Sequence, residues 1–318
     1  MQLIDKAAVE AHLAMADCIG LMREALLRIS TGQALQPLRT AMRVDDHCLL
    51  GIMPAADPGQ QAAGAKLITV MPGNFQKGLP SHQGVVVLFE TQTGALRAIV
   101  DGEAVTGIRT AAVSAVATDA LARADAHVLC VLGSGLQARR HFEAIRLVRD
   151  IRQVRVWDID AASAARYARE MQARHGIPVL DCAHDVASAV AGADIVCTVT
   201  AAQTPILLGA HVSPGTHINA VGACTPAARE LDTALMQAAR LYGDSAESVR
   251  HESGDYLIPL REGAIPAAHL LGELGQVLAG TLAGRTDAAD ITVFEALGLA
   301  AEDVAAARWL ADRLAPQA

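Results

Sequence analysis

A glycine-rich turn is the first stretch of the sequence with the residue types for chemistry. Residues 133–138 read Gly-Ser-Gly-Leu-Gln-Ala and follow the apolar run "VLCVL". In this pattern the first glycine permits a tight turn, the second admits a pyrophosphate, and the small third residue lets a helix pack closely. The N-terminus of that helix stabilises the phosphate charge. The stretch predicts a dinucleotide-binding turn, with a turn that binds no phosphate as the alternative; its candidate residues are Gly133, Ser134, Gly135, Gln137 and Ala138.

An acid after the next apolar run indicates which dinucleotide is bound. "QVRVWDID" places Asp158 near the spacing of about 20 residues from the first glycine that a ribose-binding acid requires. A carboxylate there accepts hydrogen bonds from the ribose 2′-OH and repels a 2′-phosphate. We therefore expect NAD(H) as the preferred cofactor, with NADP(H) possible. The alternative role for Asp158 is a helix cap.

Four basic residues in the N-terminal half are candidates for binding a substrate and setting its protonation. Lys66, in the apolar run "AGAKLITV", is either an edge-strand cation that reaches solvent or a site residue with restricted hydration. Arg39 and Arg109 each precede small residues, which leaves room for a carboxylate clamp, although each also fits a surface ion pair. His82, in "LPSHQG", is either a proton donor or an ordinary loop histidine.

The elements that position these residues fall into two patterns. Residues 5–30 have helical spacing, and residues 37–101 form short apolar runs divided by turns, which predicts an antiparallel sheet. After residue 126, strand-like and helix-like segments alternate. Such alternation predicts parallel strands joined by crossover helices, which makes the fold class α/β.

The composition excludes several kinds of partner. The formal net charge of −8 and the lack of a basic cluster argue against nucleic acid. No apolar run reaches the roughly 18 residues of a membrane span. The six cysteines have no CxxC pairing and no histidine at metal-ligand spacing, so we expect no metal site and a reduced, cytoplasmic chain. Localisation rests on absences alone.

Seven motifs, spread in order from about Leu35 to Ala307, resemble the ornithine cyclodeaminase/mu-crystallin family. They are "LQPLRT", "GIMPA", "LPSHQGVVVLFE", "IVDGEAVTGIRTAAVSAVAT", "VLCVLGSGLQA", "HINAVGACTPAARELD" and "TVFEALGLAAEDVAAA". The resemblance implies a homodimer of two-domain chains. A Rossmann-type doubly wound parallel sheet, residues 116–287, is inserted into an α+β dimerisation and substrate domain, residues 1–115 and 288–318.

The resemblance also selects among the candidate residues. Arg39 and Arg109 match positions that hold a substrate carboxylate, and Lys66 matches the active-site lysine. His82 matches the histidine of a "PSHQ" segment in the mu-crystallin-like branch. Thr200 and Val221, at the ends of two strands of the alternating region, join the expected cofactor-binding residues.

Two departures indicate the branch of the family. True cyclodeaminases carry a glutamate three residues before the proline of the "MP" motif, where this chain has Gly51. They also carry an aspartate where this chain has Cys224. Recognising and deprotonating a long diamine suits carboxylates, so their loss disfavours ornithine cyclodeamination. Cys224 either lines a substrate pocket or is a small buried residue near the nicotinamide.

The expected function is therefore NAD(P)H-dependent reduction of cyclic ketimine carboxylates such as pyrroline-2-carboxylate or piperideine-2-carboxylate. Within the family the chain is most similar to the mu-crystallin-like ketimine reductases. These often carry an Asn-Arg pair after the second strand, suited to NADPH, and the stretch from Trp157 to Asp160 lacks that arginine. Two alternatives remain: an ornithine cyclodeaminase that uses catalytic NAD, and a binding protein that holds a cofactor and a small carboxylated ligand without turnover.

Overall fold

The computed structural model describes residues 1–46, 48–182 and 185–315. It divides into two compact units. The first unit comprises residues 1–109 together with the described residues from 298 onward, and the second unit comprises residues 110–297.

Strands make up two separate sheets, and their bounds in chain order are as follows. They are β1 (Gln2–Ile4), β2 (Thr40–Arg43), β3 (Leu49–Asp57), β4 (Ala62–Val70), β5 (His82–Glu90), β6 (Leu96–Asp101), β7 (Val128–Leu132), β8 (Gln153–Trp157), β9 (Val179–Asp181), β10 (Ile195–Thr198), β11 (His217–Ala220), β12 (Ala239–Gly243), β13 (Leu270–Glu273) and β14 (Ile291–Glu295).

The α-helices flank these sheets. They are α1 (Lys6–His12), α2 (Met15–Ser30), α3 (Gly102–Leu121), α4 (Leu136–Ile145), α5 (Ala161–His175), α6 (Val186–Val190), α7 (Thr233–Ala238), α8 (Ala246–Glu252), α9 (Gly254–Arg261), α10 (Leu274–Leu278) and α11 (Ala300–Arg313).

The first unit is built on a six-stranded sheet in the order β1-β6-β5-β4-β3-β2. Strands β2 to β6 pair antiparallel, as their alternating runs predict, whereas β1 pairs parallel with β6. Helix α11 packs against β3, β4 and β5 and against α2. Its many alanines let its backbone approach the sheet closely. The predicted helical stretch from residue 5 to 30 is two helices, because the chain leaves helical geometry at Leu13 and Ala14.

The second unit is built on an eight-stranded sheet in the order β13-β12-β14-β11-β10-β7-β8-β9. All its pairs are parallel, which confirms the α/β fold class and the crossover connections expected from the alternating pattern. The chain order reverses between β7 and β10, and ligands of such sheets bind outside the carboxyl ends of the strands at that point. The fold therefore provides a binding edge directly after β7, β8, β10 and β11.

The two compact units and the predicted domains have different boundaries. The first boundary lies within α3, after Arg109 rather than after residue 115. The second lies after Leu297 rather than after residue 287, because β14 pairs with β11 and β12 in the sheet of the second unit. The last three residues of the predicted 288–318 segment lie outside the described residues. The functional assignment of the two domains stays a prediction.

Within the described ranges, no helix is both long and apolar enough to cross a bilayer.

Candidate active site

A buried charge cluster occupies the inner face of the first unit. Lys66 lies in the middle of β4, Arg109 lies on α3, and Glu302 and Asp303 lie in the first turn of α11. All four side chains are at most 4% exposed. Lys66 Nζ is 2.8 Å from Asp303 Oδ2, and Arg109 Nε donates to Asp303 Oδ1 at 3.0 Å. Asp303 therefore joins the two cations through its two carboxylate oxygens.

Local sequence explains how Arg109 and Glu302 are presented. Asp101 ends β6, and its side chain accepts a hydrogen bond from Ala104 N, so α3 begins at once and carries Arg109 inward. In α11 Glu302 Oε2 accepts from Leu299 N at 3.2 Å and from Arg109 Nη1 at 2.8 Å. The glutamate thus caps its own helix and pairs with the arginine. An acid in a first helical turn is further stabilised by the helix dipole.

Burial and charge shift the protonation of the cluster. Burial lowers the pKa of Lys66 to about 8 against the opposing effect of Asp303, and Arg109 and Arg39 lower it further. Burial raises the pKa of Asp303, but Arg109 and Lys66 outweigh it and hold that pKa below its usual value. Burial raises the pKa of Glu302 despite the nearby Arg109. Lys66, Arg109 and the nearby Arg39 are three cations beside two carboxylates, and this excess of positive charge suits an anionic ligand.

Gly298 links Arg39 to Arg109. Arg39 Nη2 donates to Gly298 O at 3.0 Å. Gly298 has φ +82°, and a Cβ built on it would lie 2.7 Å from Arg109 Nη1. Only glycine fits both the left-handed backbone and the close approach of the guanidinium. The structure therefore brings Arg39, Lys66 and Arg109 to one place, and Gly298 keeps that place open.

His82 lies at the edge of this group. It is the first residue of β5, and Ser81 Oγ lies 2.9 Å from its Nδ1. Its side chain is exposed, yet local desolvation and the positive charge of Lys66 lower its pKa. The histidine is close enough to Lys66 to respond to the charge of the cluster.

The structure decides against two of the alternatives, an edge-strand cation for Lys66 and a surface ion pair for Arg109. Lys66 does not reach solvent from an edge strand, because β4 lies inside the sheet between β3 and β5. Arg109 does form ion pairs, but they are buried rather than at the surface. The acids that complete the cluster, Glu302 and Asp303, were missed by sequence reasoning. Their signal was two adjacent acids in an otherwise alanine-rich stretch.

The glycine-rich turn in the second unit has the expected form. Gly133 follows β7 with φ +109°, and a Cβ built on it would lie 2.9 Å from Val199 O. Gly135 is the N-cap of α4, and a Cβ there would meet nothing within 4 Å. Ala138 is fully buried, and its carbonyl accepts a hydrogen bond from Tyr167 OH. The open backbone at the helix start fits a pyrophosphate, so the residues present fit a dinucleotide.

Asp158 contacts both the glycine-rich turn and the residue that caps the following helix. Its Oδ2 accepts from Ser134 Oγ at 2.6 Å, and its Oδ1 accepts from Asp160 N at 2.9 Å. The cap of α5 is Asp160, whose side chain accepts from Ala162 N. The helix-cap interpretation of Asp158 is therefore wrong, and its role towards a ribose stays a prediction. Gln137 lies in the first turn of α4.

The other predicted residues of the second unit lie after neighbouring strands. Thr200 follows β10, and Val221 follows β11 with its N–H donating to Thr198 O. Cys224 is half-buried in the loop after β11 and packs against the apolar core of this unit. Within the described ranges no group of three or more His, Cys, Asp or Glu side chains could hold a metal ion.

Glu230 is a further residue that sequence reasoning missed. It is fully buried, and its Oε1 accepts from Thr200 N and Oγ1 at 2.8 and 2.6 Å. Its Oε2 accepts from Gly222 N at 2.8 Å. The carboxylate therefore ties together the loops that follow β10 and β11. The quoted "TPAARELD" motif contained it, but the sequence held no sign of its partners.

Comparisons with known proteins identify relatives over nearly the whole chain. The model of the ornithine cyclodeaminase/mu-crystallin family matches residues 2–317. "Ketimine reductase mu-crystallin" of Mus musculus is 42% identical over 282 residues, which cover 88% of this chain and 86% of the mouse protein.

Two solved structures are similar over nearly the whole chain. Thermococcus litoralis Delta(1)-pyrroline-2-carboxylate reductase, solved with NADH and L-proline, has a TM-score of 0.96 and 35% identity, covering 98% of this chain and 97% of that chain. An archaeal alanine dehydrogenase dimer with bound NAD has a TM-score of 0.92 and 29% identity, covering 98% and 95%.

Proposed function

Because the chain belongs to the ornithine cyclodeaminase/mu-crystallin family, we propose that it reduces cyclic ketimine carboxylates to cyclic amino acids with NAD(P)H. The substrates are of the pyrroline-2-carboxylate and piperideine-2-carboxylate type. The observation that carries this proposal is the buried cluster of Lys66, Arg109, Glu302 and Asp303 with Arg39 beside it. The similarity of the chain to the reductases from mouse and Thermococcus litoralis supports the proposal.

With Arg39 included, the cluster has three cations and two acids, and this excess of one positive charge holds the substrate carboxylate. Arg39 and Arg109 present planar guanidinium groups, which match the two oxygens of a carboxylate. Lys66 adds an ammonium charge in a site from which water is excluded. Asp303 fixes Lys66 and Arg109 before the substrate arrives, so little reorganisation is needed during the reaction.

The absence of an acid at position 51 favours a cyclic imine over a diamine as the substrate. Gly51 pairs with Ile68 across β3 and β4, and Met53 pairs with Lys66, so position 51 lies on the same face as Lys66. An acid at position 51 would therefore project from the face that carries Lys66, where it would suit a distal ammonium. This chain has no side chain at position 51, and a cyclic imine has no distal amine to bind.

The hydride and the proton come from different sources. When bound, NAD(P)H would supply a hydride for the imine carbon, and the ring nitrogen would take a proton from solvent or from His82. The lowered pKa of His82 makes its imidazolium a stronger acid, which favours release of that proton. The turn at residues 133–138, Asp158, Thr200 and Val221 would hold the cofactor. NADH is preferred because the Asp158 carboxylate repels a 2′-phosphate.

A homodimer is part of the proposal. The sheet face opposite α11 is apolar, and Ile52 pairs in register with Leu67, which pairs with Val85. Ile52 is 42% exposed, and Phe89, on the same outer face, is 40% exposed. Such a face suits a second copy of the chain, and the similar archaeal alanine dehydrogenase is described as a dimer. Light scattering should give a molar mass of twice the chain mass. Ile52→Lys should lower that molar mass towards the mass of one chain.

A cytoplasmic location completes the proposal. All six cysteines are free in the structure, and three of them are buried. Free thiols persist in a reducing compartment.

The test is to follow NADH and NADPH oxidation side by side with pyrroline-2-carboxylate and with piperideine-2-carboxylate. We expect oxidation with either imine, faster with NADH. Proline and ammonia formed from ornithine with NAD would instead identify a cyclodeaminase, and reductive amination of pyruvate would identify an alanine dehydrogenase. Cofactor binding with none of these reactions would identify a binding protein.

A further inference from the structure

Ser134 lies between the glycines of the turn, yet its hydroxyl is directed at Asp158. The bond from Ser134 Oγ to Asp158 Oδ2 is 2.6 Å long, as is common for a hydroxyl bound to a carboxylate. Ser134 is only 7% exposed, so water competes little for this bond. The bond joins two cofactor motifs whose residues lie 24 positions apart in the sequence.

The opposite oxygen of Asp158 is fixed as well. Asp158 Oδ1 accepts from Asp160 N, so each carboxylate oxygen has one donor from the protein. An ionised carboxylate has about four lone-pair sites, two on each oxygen. One site on each oxygen is thus used to set the plane of the carboxylate, and the vicinal hydroxyls of a ribose would use the other two.

The backbone of Ser134 is held from its other side by Arg139. Arg139 Nη1 donates to Ser134 O at 2.6 Å and to Gly135 O at 3.1 Å. The same guanidinium pairs with Glu170 on α5 at 2.8 Å and lies over the Tyr167 ring. Arg139 thus braces the backbone of the turn, from which the Ser134 side chain projects, against α5.

We infer that Ser134 is a positioning residue that sets the choice between NADH and NADPH by holding the Asp158 carboxylate in the orientation that accepts a ribose diol. This inference rests on the proposed dinucleotide cofactor. Without the hydroxyl, the Asp158 carboxylate can rotate away. It then binds the diol of NADH less well and repels the 2′-phosphate of NADPH less strongly.

The test measures dissociation constants for NADH and NADPH by fluorescence titration without any imine. Ser134→Ala should weaken NADH about tenfold, as expected for one hydrogen bond to a charged group, and should leave NADPH unchanged or tighter. Ser134→Thr, which keeps the hydroxyl, should restore the NADH affinity. Ser163→Ala is the matched control, since Ser163 donates to the neighbouring Asp160 instead, and it should leave both affinities unchanged.

A double-mutant cycle separates positioning from direct contact with the cofactor. If Ser134 acts through Asp158, Ser134→Ala should have no further effect on NADH in an Asp158→Ala background. Equal losses for NADH and NADPH, or a further loss in that background, would overturn the inference. Dinucleotide binding without imine reduction would overturn the reductase and leave this inference standing. Failure of wild-type protein to bind either dinucleotide would overturn both.

Discussion

The charge cluster of the first unit and the glycine turn of the second unit are both suited to negative groups, but they use different donors. The cluster uses side-chain cations that are nearly removed from water, with Asp303 between them. The turn uses backbone N–H groups at a helix start, and its one carboxylate, Asp158, is only partly buried. A buried cluster depends on every partner, because a single deletion leaves an unpaired charge. A backbone turn depends instead on whether its glycines can keep their conformation.

Lys66→Ala should show the largest effect in the first unit. Loss of this cation from a water-excluded site should lower kcat/KM for the imine by about 10³-fold, comparable to losing one transition-state donor. NADH affinity should stay at the wild-type value, because the cofactor motifs lie in the second unit. Lys77→Ala, which removes an exposed lysine of the first unit, is the control. Normal turnover in Lys66→Ala would remove the lysine from the mechanism.

Gly133→Ala should show the corresponding effect in the second unit. The substitution combines φ +109° with a Cβ 2.9 Å from Val199 O, so the turn must shift. We expect NADH affinity to fall about 30-fold, since strain of this kind costs about 2 kcal/mol. Gly176→Ala is the control, because Gly176 has φ +70° with nothing within 4 Å of a Cβ. Equal NADH affinities in the two variants would show that the turn does not bind the cofactor.

The pH dependence of ligand binding is a further difference between the two regions. L-proline is the product that the proposed reduction of pyrroline-2-carboxylate would give. Above pH about 8 Lys66 loses its proton in the folded protein, so L-proline binding should weaken by up to about tenfold as this charge disappears. In the Lys66→Ala variant the binding should not change over the same range.

Loss of the Lys66 proton weakens ligand binding but has the opposite effect on the stability of the fold. Between pH about 8 and 10.5 the unfolded chain still protonates Lys66 while the folded chain does not. The unfolded state then binds more protons, so the contribution of Lys66 to the free energy of unfolding rises with pH. Denaturant titrations of wild type and Lys66→Ala at pH 7.5 and 9.5 should show this difference. An identical pH dependence in the two proteins would contradict a depressed pKa for Lys66.

Gly298→Ala should give the smallest effect on activity. The left-handed backbone alone costs about 1 kcal/mol, and displacement of Arg109 should raise KM for the imine about fivefold, a cost of similar size. Gly94→Ala, at a hairpin with φ +74° and an open Cβ site, carries the backbone cost alone. Thermal unfolding should therefore shift in both variants, whereas KM should change only in Gly298→Ala. A raised KM in both would mean that Gly298 does not hold Arg109 in place.

The extent to which sequence predicts each region follows from how far apart its residues lie. The turn is nearly contiguous, so its glycines and Asp158 stand in a readable pattern, and the parallel sheet that carries them was expected and is confirmed. The Ser134–Asp158 bond was not foreseen, because a motif does not specify side-chain rotamers. The cluster joins β4, α3 and α11, and no spacing rule predicts that Asp303 meets Lys66. Arg39, Lys66 and Arg109 were selected by family resemblance, and their roles stay predictions.

The joining of residues 1–109 with the residues from 298 onward in the first unit has a consequence for synthesis. Its sheet is complete once residue 101 has been made, but the acids that pair with Lys66 and Arg109 come from α11, near the end of the chain. During translation the two cations therefore face an interior without their counter-charges until the last helix emerges. A nascent or truncated chain that ends before Glu302 cannot bury Lys66 and Arg109 as ion pairs. Such chains should stay open to proteases at the first unit while the parallel sheet of the second unit folds ahead of it.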